Sequence, residues 1–97
     1  MKNLEEIRKM LEQHKSIIGK QFKVKEIAIF GSFVREEQKE VSDIDILVEF
    51  YEPVGFFTFL ELEEYLTGIL GIKVDLVSKR ALKPGIGKYI LQEMIRV

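Results

Sequence analysis

Apolar positions recur along the chain at two different spacings, and the spacing separates helices from strands. Between residues 3 and 19 they return every three or four positions, which predicts an amphipathic helix. The same spacing predicts a helix over residues 56–70, with Gly71 as its C-cap, and a last helix after the Pro84-Gly85 turn. In the last helix we expect five apolar side chains to point inward: Ile86, Ile90, Leu91, Met94 and Ile95.

Three shorter apolar runs predict strands, over Val24–Phe30, Ile44–Phe50 and Ile72–Val77. The second run alternates strictly, so its side chains leave the strand on two different faces. One face carries Ile44, Ile46, Val48 and Phe50, and the other carries Asp43, Asp45, Leu47 and Glu49. Residues 33–42 between the first two strands are polar and predict a short helical turn plus a loop.

The order of these elements predicts an α+β fold, with a small mixed β-sheet and helices packed on one side. A helix joins the second and third strands, which implies a parallel pair with a right-handed crossover. The short link between the first two strands implies antiparallel neighbours. With 97 residues the chain has room for one hydrophobic core, so we expect residues 1–97 to form a single domain.

Composition excludes several classes of function. The chain has no cysteine, so disulfides and thiolate metal sites are excluded. Its net charge of −1 offers no broad surface for nucleic acid, and direct nucleic-acid binding is not expected. No apolar run approaches the length of a membrane span and no secretory signal opens the chain, so we expect a cytoplasmic protein without a membrane partner.

Two aspartates, Asp43 and Asp45, interrupt the apolar pattern and leave the same face of the second strand. Asp75 joins them if the third strand lies beside the second. Three carboxylates about 5–6 Å apart would repel by about 3 kcal/mol per pair at an effective dielectric of about 20, so the cluster must take up protons or bind a cation. Oxygen-only ligands favour a hard cation, Mg²⁺ first and Mn²⁺ second. An isolated D-x-D is more often a pair of solvated acids.

The turn at Gly31-Ser32 shifts that balance towards a site. It follows a buried strand and opens a short helix, where backbone N–H groups and a hydroxyl can hold a phosphate. Arg35 lies about one helical turn further along and can reach the same phosphates. Taken singly, Gly-Ser is more often an ordinary turn and Arg35 a surface arginine.

Together these residues form a recognisable pattern. The segment FGSFVREEQKEVSDIDILVEF resembles the signature of the DNA polymerase β-like nucleotidyltransferase superfamily, with Asp75 in KVDLV as the third acid. Length and element order are most similar to the minimal nucleotidyltransferases, which often act as antitoxins beside HEPN-domain toxins. The family usually has Gly directly after the Arg, where this chain has Glu36, whose charge would oppose nucleotide binding if it faced the triphosphate.

The resemblance implies a polymerase β palm-like fold and transfer of a nucleoside monophosphate, AMP from ATP, to a hydroxyl acceptor. It implies that Asp43, Asp45 and Asp75 are catalytic and hold one or two Mg²⁺ ions, and that Gly31, Ser32 and Arg35 bind the nucleotide. Ser42 is expected to be a cap or turn residue. Because the chain is only a catalytic core, the acceptor must come from a partner, such as a tyrosine of a HEPN toxin, or from a second copy in a homo-oligomer.

Two other functions are compatible with the same residues. The first is a catalytically impaired module that neutralises a toxin by contact alone, which Glu36 favours. The second is a small-molecule transferase of the aminoglycoside type, which the missing acceptor domain disfavours. The aromatic start of the helix FFTFLELEEYLTGIL, at Phe56, Phe57 and Phe59, is expected to leave at least one ring exposed for a partner. His14, the only histidine, is expected to be a packing or boundary residue.

Overall fold

The computed structural model describes residues 3–37 and 43–97. The predicted turn or cap at Ser42, and the end of the predicted loop before it, lie outside these ranges. Single 3₁₀ turns at Gly31–Phe33 and Lys79–Ala81 follow the first and third strands. The helices and strands, in chain order, are α1 (Leu4–Phe22), β1 (Val24–Phe30), β2 (Ile44–Phe50), α2 (Phe56–Leu70), β3 (Val74–Ser78), α3 (Pro84–Glu93) and β4 (Ile95–Arg96).

The strands form one mixed sheet in the order β3-β2-β1-β4. β1 pairs antiparallel with β2, and β2 pairs parallel with β3, as the connection lengths predict. The two-residue strand β4 was not predicted and pairs antiparallel with the free edge of β1. The described fold is therefore the predicted α+β class, with one additional short edge strand.

The core lies between one face of the sheet and helices α1 and α2. Ile44, Ile46 and Val48 of β2 are fully buried there, as the alternation predicts. The helices contribute Ile7, Leu11, Ile18, Phe22, Leu62, Leu66 and Leu70 to the same cluster. This side of the sheet is consequently apolar throughout, and the acidic side chains of β2 leave from its other face.

Helix α1 runs three residues beyond its predicted end at residue 19. Phe22 continues the stripe one turn after Ile18 and is only 4% exposed, so its burial favours the extra turn. The helix begins at the Asn3 cap, whose side-chain oxygen accepts the Glu6 N–H at 2.9 Å. It ends at Lys23, which has a left-handed φ of 60°.

Strand β3 begins at Val74, two residues later than predicted, because Gly71 ends α2 in a left-handed conformation with φ 68°. Helix α2 also binds the strand directly. The Thr67 hydroxyl accepts the Val74 N–H at 3.0 Å, and the Glu63 carboxylate accepts the Leu76 N–H at 2.9 Å. These bonds satisfy two N–H groups of an edge strand on either side of Asp75.

Helix α3 contributes no residue to the core cluster, so the prediction that its apolar stripe faces inward was partly wrong. Gly87 is its one buried residue, while Ile86 is 62% and Leu91 40% exposed. The helix stops at Glu93, so Ile95 belongs to β4, where it pairs with Ile29. The 3.6-residue period predicts a helix here, but it cannot tell whether a second layer is present to cover the stripe.

The aromatic start of α2 is exposed, as expected. Phe56 and Phe57 are 69% and 77% exposed, whereas Phe59 packs partly against the core. His14 is half-buried, with its Nδ1 2.8 Å from the Met10 carbonyl oxygen and its ring edge-on to Tyr65, which fits the predicted boundary role. No helix among the described residues is both long and apolar enough to cross a bilayer.

Candidate active site

Strand register brings the predicted acidic residues to one row of the sheet. Asp45 of β2 lies opposite Asp75 on the parallel neighbour β3 and opposite Phe30, the last residue of β1, on the other side. Phe30 is followed at once by Gly31. The turn and two of the three predicted acids, which are far apart in sequence, therefore meet at one end of the β1–β2–β3 sheet.

The Gly31 backbone is held tightly against Asp45. Its φ of +80° is in the left-handed region, and a Cβ built there would lie 2.1 Å from the Asp45 Oδ2. Both the conformation and the lack of space require glycine at this position. The Gly31 carbonyl then accepts hydrogen bonds from the N–H groups of Val34 and Arg35 at 3.1 and 3.2 Å, which closes a tight turn directly after the strand.

The electrostatics of Asp45 show that carboxylates are crowded here. Burial raises the pKa of Asp45, and the charges of Asp75 and Asp43 raise it further, as does its hydrogen bond with Asp75. The Arg35 guanidinium acts in the opposite direction. Asp43 lies at the margin of the group, with its Oδ2 4.0 Å from Lys73 Nζ and about half of its side chain exposed.

The chemistry of this group fits a hard cation. It presents only oxygen donors and an excess of negative charge, which a divalent ion would neutralise. Within residues 3–37 and 43–97 no three acidic or histidine side chains are close enough to form a complete metal site of their own. A magnesium ion in such a place is typically held by one or two carboxylates and completed by water and substrate phosphates.

Glu36, the departure from the family pattern, does not face the acids. Its side chain is exposed and borders a surface depression with Asn3, Leu4, Glu5 and Phe33. It is absent from the charges that shift the pKa of Asp45. Its backbone is unusual instead, because φ is 58°, a left-handed value that glycine adopts far more easily.

One residue at the site was missed by sequence reasoning. Glu93 is the last residue of α3. Its Oε1 accepts a hydrogen bond from the Gly31 N–H at 3.2 Å, and its Oε1 and Oε2 accept from Arg35 Nη1 at 3.0 and 3.3 Å. Arg35 also donates from Nε to Glu37 at 2.7 Å, and the two carboxylates raise the pKa of Arg35. No spacing rule connects residues 31 and 93, which are 62 positions apart, so the sequence held no signal for this contact.

A known protein family matches most of the chain. The family described as "Nucleotidyltransferase domain" matches residues 11–97. The chain belongs to this family. The protein adenylyltransferase MntA of Thermococcus cleftensis is 52% identical to this nucleotidyltransferase over 97 residues, which are 100% of this chain and 98% of that protein. The predicted resemblance to nucleotidyltransferases is thus confirmed.

Solved structures place this nucleotidyltransferase among the minimal members of the family. A structure provisionally described as a minimal nucleotidyltransferase is 34% identical to this chain, with a TM-score of 0.85. The match covers 99% of this chain and 97% of that chain. A toxin–antitoxin crystal structure with AMP-PNP is 25% identical, with a TM-score of 0.72, and covers 88% of this chain and 70% of that chain. The predicted fold family is therefore confirmed together with the sequence family.

Proposed function

We propose that this nucleotidyltransferase transfers AMP from ATP to a tyrosine hydroxyl of a HEPN-domain toxin and so acts as an antitoxin. The observation that carries the proposal is the register of Asp45 with Asp75 beside the Gly31 turn. It brings carboxylates and groups that can donate hydrogen bonds together at one end of the sheet. The similarity to a protein adenylyltransferase supports AMP as the transferred group, and the likeness to a toxin–antitoxin structure supports a toxin partner.

In this proposal the acids bind the metal and the acceptor. Asp43, Asp45 and Asp75 would hold magnesium, and Asp75 would also orient the acceptor hydroxyl. When bound, magnesium neutralises the triphosphate and the leaving pyrophosphate. Burial raises the pKa of Asp45 and the charges of Asp75 and Asp43 raise it further, so a bound cation would favour its ionised form.

The remaining residues bind the phosphates. The Gly31 N–H, the Ser32 hydroxyl and the Arg35 guanidinium lie on one turn, and they donate to the β- and γ-phosphate oxygens. The acceptor oxygen attacks the α-phosphorus, a new P–O bond forms, and the bond to the pyrophosphate oxygen breaks, with its electron pair leaving on pyrophosphate. Asp75 accepts the acceptor's proton and passes it to solvent.

The test is transfer of label from ATP. With Mg²⁺, α-labelled ATP and a candidate HEPN-domain partner, the chain should label the partner. The Asp43→Ala/Asp45→Ala double variant should show at least a 100-fold lower rate, because the carboxylates that would hold the metal are gone. Label is measured on the partner after electrophoresis and assigned to a tyrosine by mass spectrometry.

A binding-only antitoxin is the second candidate, and a specific contact favours it: the Gly31 N–H and Arg35 are already engaged by Glu93. This candidate predicts a tight complex with no label, unchanged in the double variant, and that result would contradict the enzymatic proposal. Melting curves give an independent reading, since Mg²⁺ binding to the native state should raise the melting temperature of the unaltered chain and not that of the double variant.

A further inference from the structure

The carboxylate of Glu93 lies on the groups that our proposed function assigns to phosphate. It accepts the Gly31 N–H at 3.2 Å, and it contacts Arg35 Nη1 through both oxygens at 3.0 and 3.3 Å. A carboxylate that accepts a backbone N–H and pairs with a guanidinium has the same partners as a phosphate oxygen at a helix or turn N-terminus. The side chain is about one-third exposed, so it closes this position without being locked into the core.

The Gly31 N–H cannot bind Glu93 and a phosphate oxygen at the same time. The Gly31 amide has a single N–H, and its direction is set by the left-handed turn packed against Asp45. Arg35 is already paired with Glu37 through Nε at 2.7 Å, so little of its charge is left unbalanced for a ligand while Glu93 is also in place. A triphosphate arriving here would meet a negative charge where it needs a donor.

We propose that Glu93 is an internal competitor for the nucleotide's phosphates, and that it must leave the Gly31 N–H before a phosphate oxygen can bind there. The proposal rests on the proposed function, because it concerns the same nucleotide site. It assigns Glu93 a regulatory role: the end of α3 sets how tightly the triphosphate is bound.

The attachment of α3 is compatible with this movement. Among its residues Gly87 is buried, while Ile86, Tyr89 and Leu91 are 62%, 74% and 40% exposed. Glu93 is the last residue of the helix, directly before the short strand β4. A change in its side-chain rotamer, or a small shift of the helix end, frees the Gly31 N–H without breaking the core formed by α1 and α2.

A different role for the same contact predicts the opposite effect. If Glu93 held Arg35 in the orientation that phosphate binding requires, its removal would weaken nucleotide binding. If Glu93 competes, its removal strengthens binding. The sign of the change in affinity therefore separates a competitor from a positioning residue.

The experiment measures the dissociation constants of ATP and of inorganic tripolyphosphate, each with Mg²⁺, by titration calorimetry. We expect Glu93→Gln to bind both ligands about three- to tenfold more tightly than the unaltered chain. Tripolyphosphate shows whether the gain belongs to the phosphates, because it has no base or ribose. Glu93→Ala is the second variant and should change affinity in the same direction.

Glu37→Gln is the matched control. It removes the same charge from the same guanidinium, but Glu37 makes its contact at Arg35 Nε, while the Gly31 N–H is bonded to Glu93. Its gain in affinity should therefore be clearly smaller than that of Glu93→Gln. An equal gain would reduce the effect to general charge and overturn the competition at Gly31.

The remaining outcomes also decide. Unchanged or weaker binding in both Glu93 variants, with ATP still bound by the unaltered chain, overturns the competitor and leaves the proposed function in place. Failure of the unaltered chain and all variants to bind either ligand contradicts both proposals.

Discussion

Gly31 and Glu36 both have left-handed φ values, but neighbouring atoms require this conformation only at Gly31. Gly31 needs its conformation, because a side chain would collide with the Asp45 carboxylate. Glu36 adopts φ 58° with its side chain in solvent, where no described hydrogen bond explains the choice of glutamate. The resemblance places glycine at this position, and the geometry supplies a reason, because glycine adopts this φ without the penalty that a Cβ imposes.

Replacing Glu36 with glycine should therefore stabilise the fold. We expect Glu36→Gly to raise the free energy of unfolding by about 0.5–1 kcal/mol, since relief of a left-handed penalty of about 1–2 kcal/mol exceeds the extra backbone entropy of glycine. Urea denaturation measures the change. Glu36→Ala is the control, because it removes the charge but keeps the Cβ. Equal stabilisation by both variants would assign the effect to charge and contradict the backbone explanation.

At the scale of the elements, α2 and α3 have similar sequence patterns but different structural roles. Helix α2 buries Leu62, Leu66 and Leu70 completely and binds β3 through two side chains. It therefore positions Asp75. Helix α3 leaves Ile86 and Tyr89 exposed and contacts the site through Glu93 at its end. Helix α2 belongs to the core, and helix α3 is a peripheral element that reaches the candidate active site.

This difference predicts unequal losses from similar truncations. Leu66→Ala should lower the free energy of unfolding by about 2–5 kcal/mol, because it opens a cavity in a fully buried position. Ile86→Ala, at a position 62% exposed, should change it by less than about 0.5 kcal/mol. Both are measured by urea denaturation under the same conditions. A loss at Ile86 as large as at Leu66 would show that α3 is packed in solution.

On the scale of the whole molecule, the site lowers the stability of the fold that carries it. Burial, together with the charges of Asp75 and Asp43, raises the pKa of Asp45 above its ordinary value. The folded chain then holds a proton on Asp45 more tightly than the unfolded chain does. Protonated Asp45 therefore favours the folded state. This stabilisation is complete below the unfolded pKa of about 3.9, and it is lost as pH rises through the folded pKa.

Asp45→Asn should remove that loss. We expect the stability difference between the variant and the unaltered chain to grow in favour of the variant as pH rises from about 4 to 7. Urea midpoints in metal-free buffer across this range provide the measurement. Glu61→Gln, an exposed change on α2, is the control and should give a flat difference. A difference for Asp45→Asn that stays constant or shrinks with pH would refute the explanation.

The sequence pattern by itself determined most helices and strands and the shared face of Asp43 and Asp45. The short apolar runs set the bounds of β1 and β2, and the crossover helix set the parallel pairing of β2 with β3, because run length and connection length are local properties. The D-x-D spacing placed Asp43 and Asp45 on one face before any neighbour was known. The site residues Gly31, Ser32 and Arg35 were predicted from the turn and the family pattern, and their binding roles remain a proposal.

Only the tertiary structure decided what lies against those residues. It set α3 outside the core, which period alone could not indicate, since an amphipathic stripe needs a second layer before it is buried. It turned Glu36 away from the acids and brought Glu93 onto the Gly31 N–H from 62 positions away. Such contacts depend on how whole elements pack. No local rule of spacing contains that information, and the contact of Glu93 with Gly31 and Arg35 was therefore visible only in the folded chain.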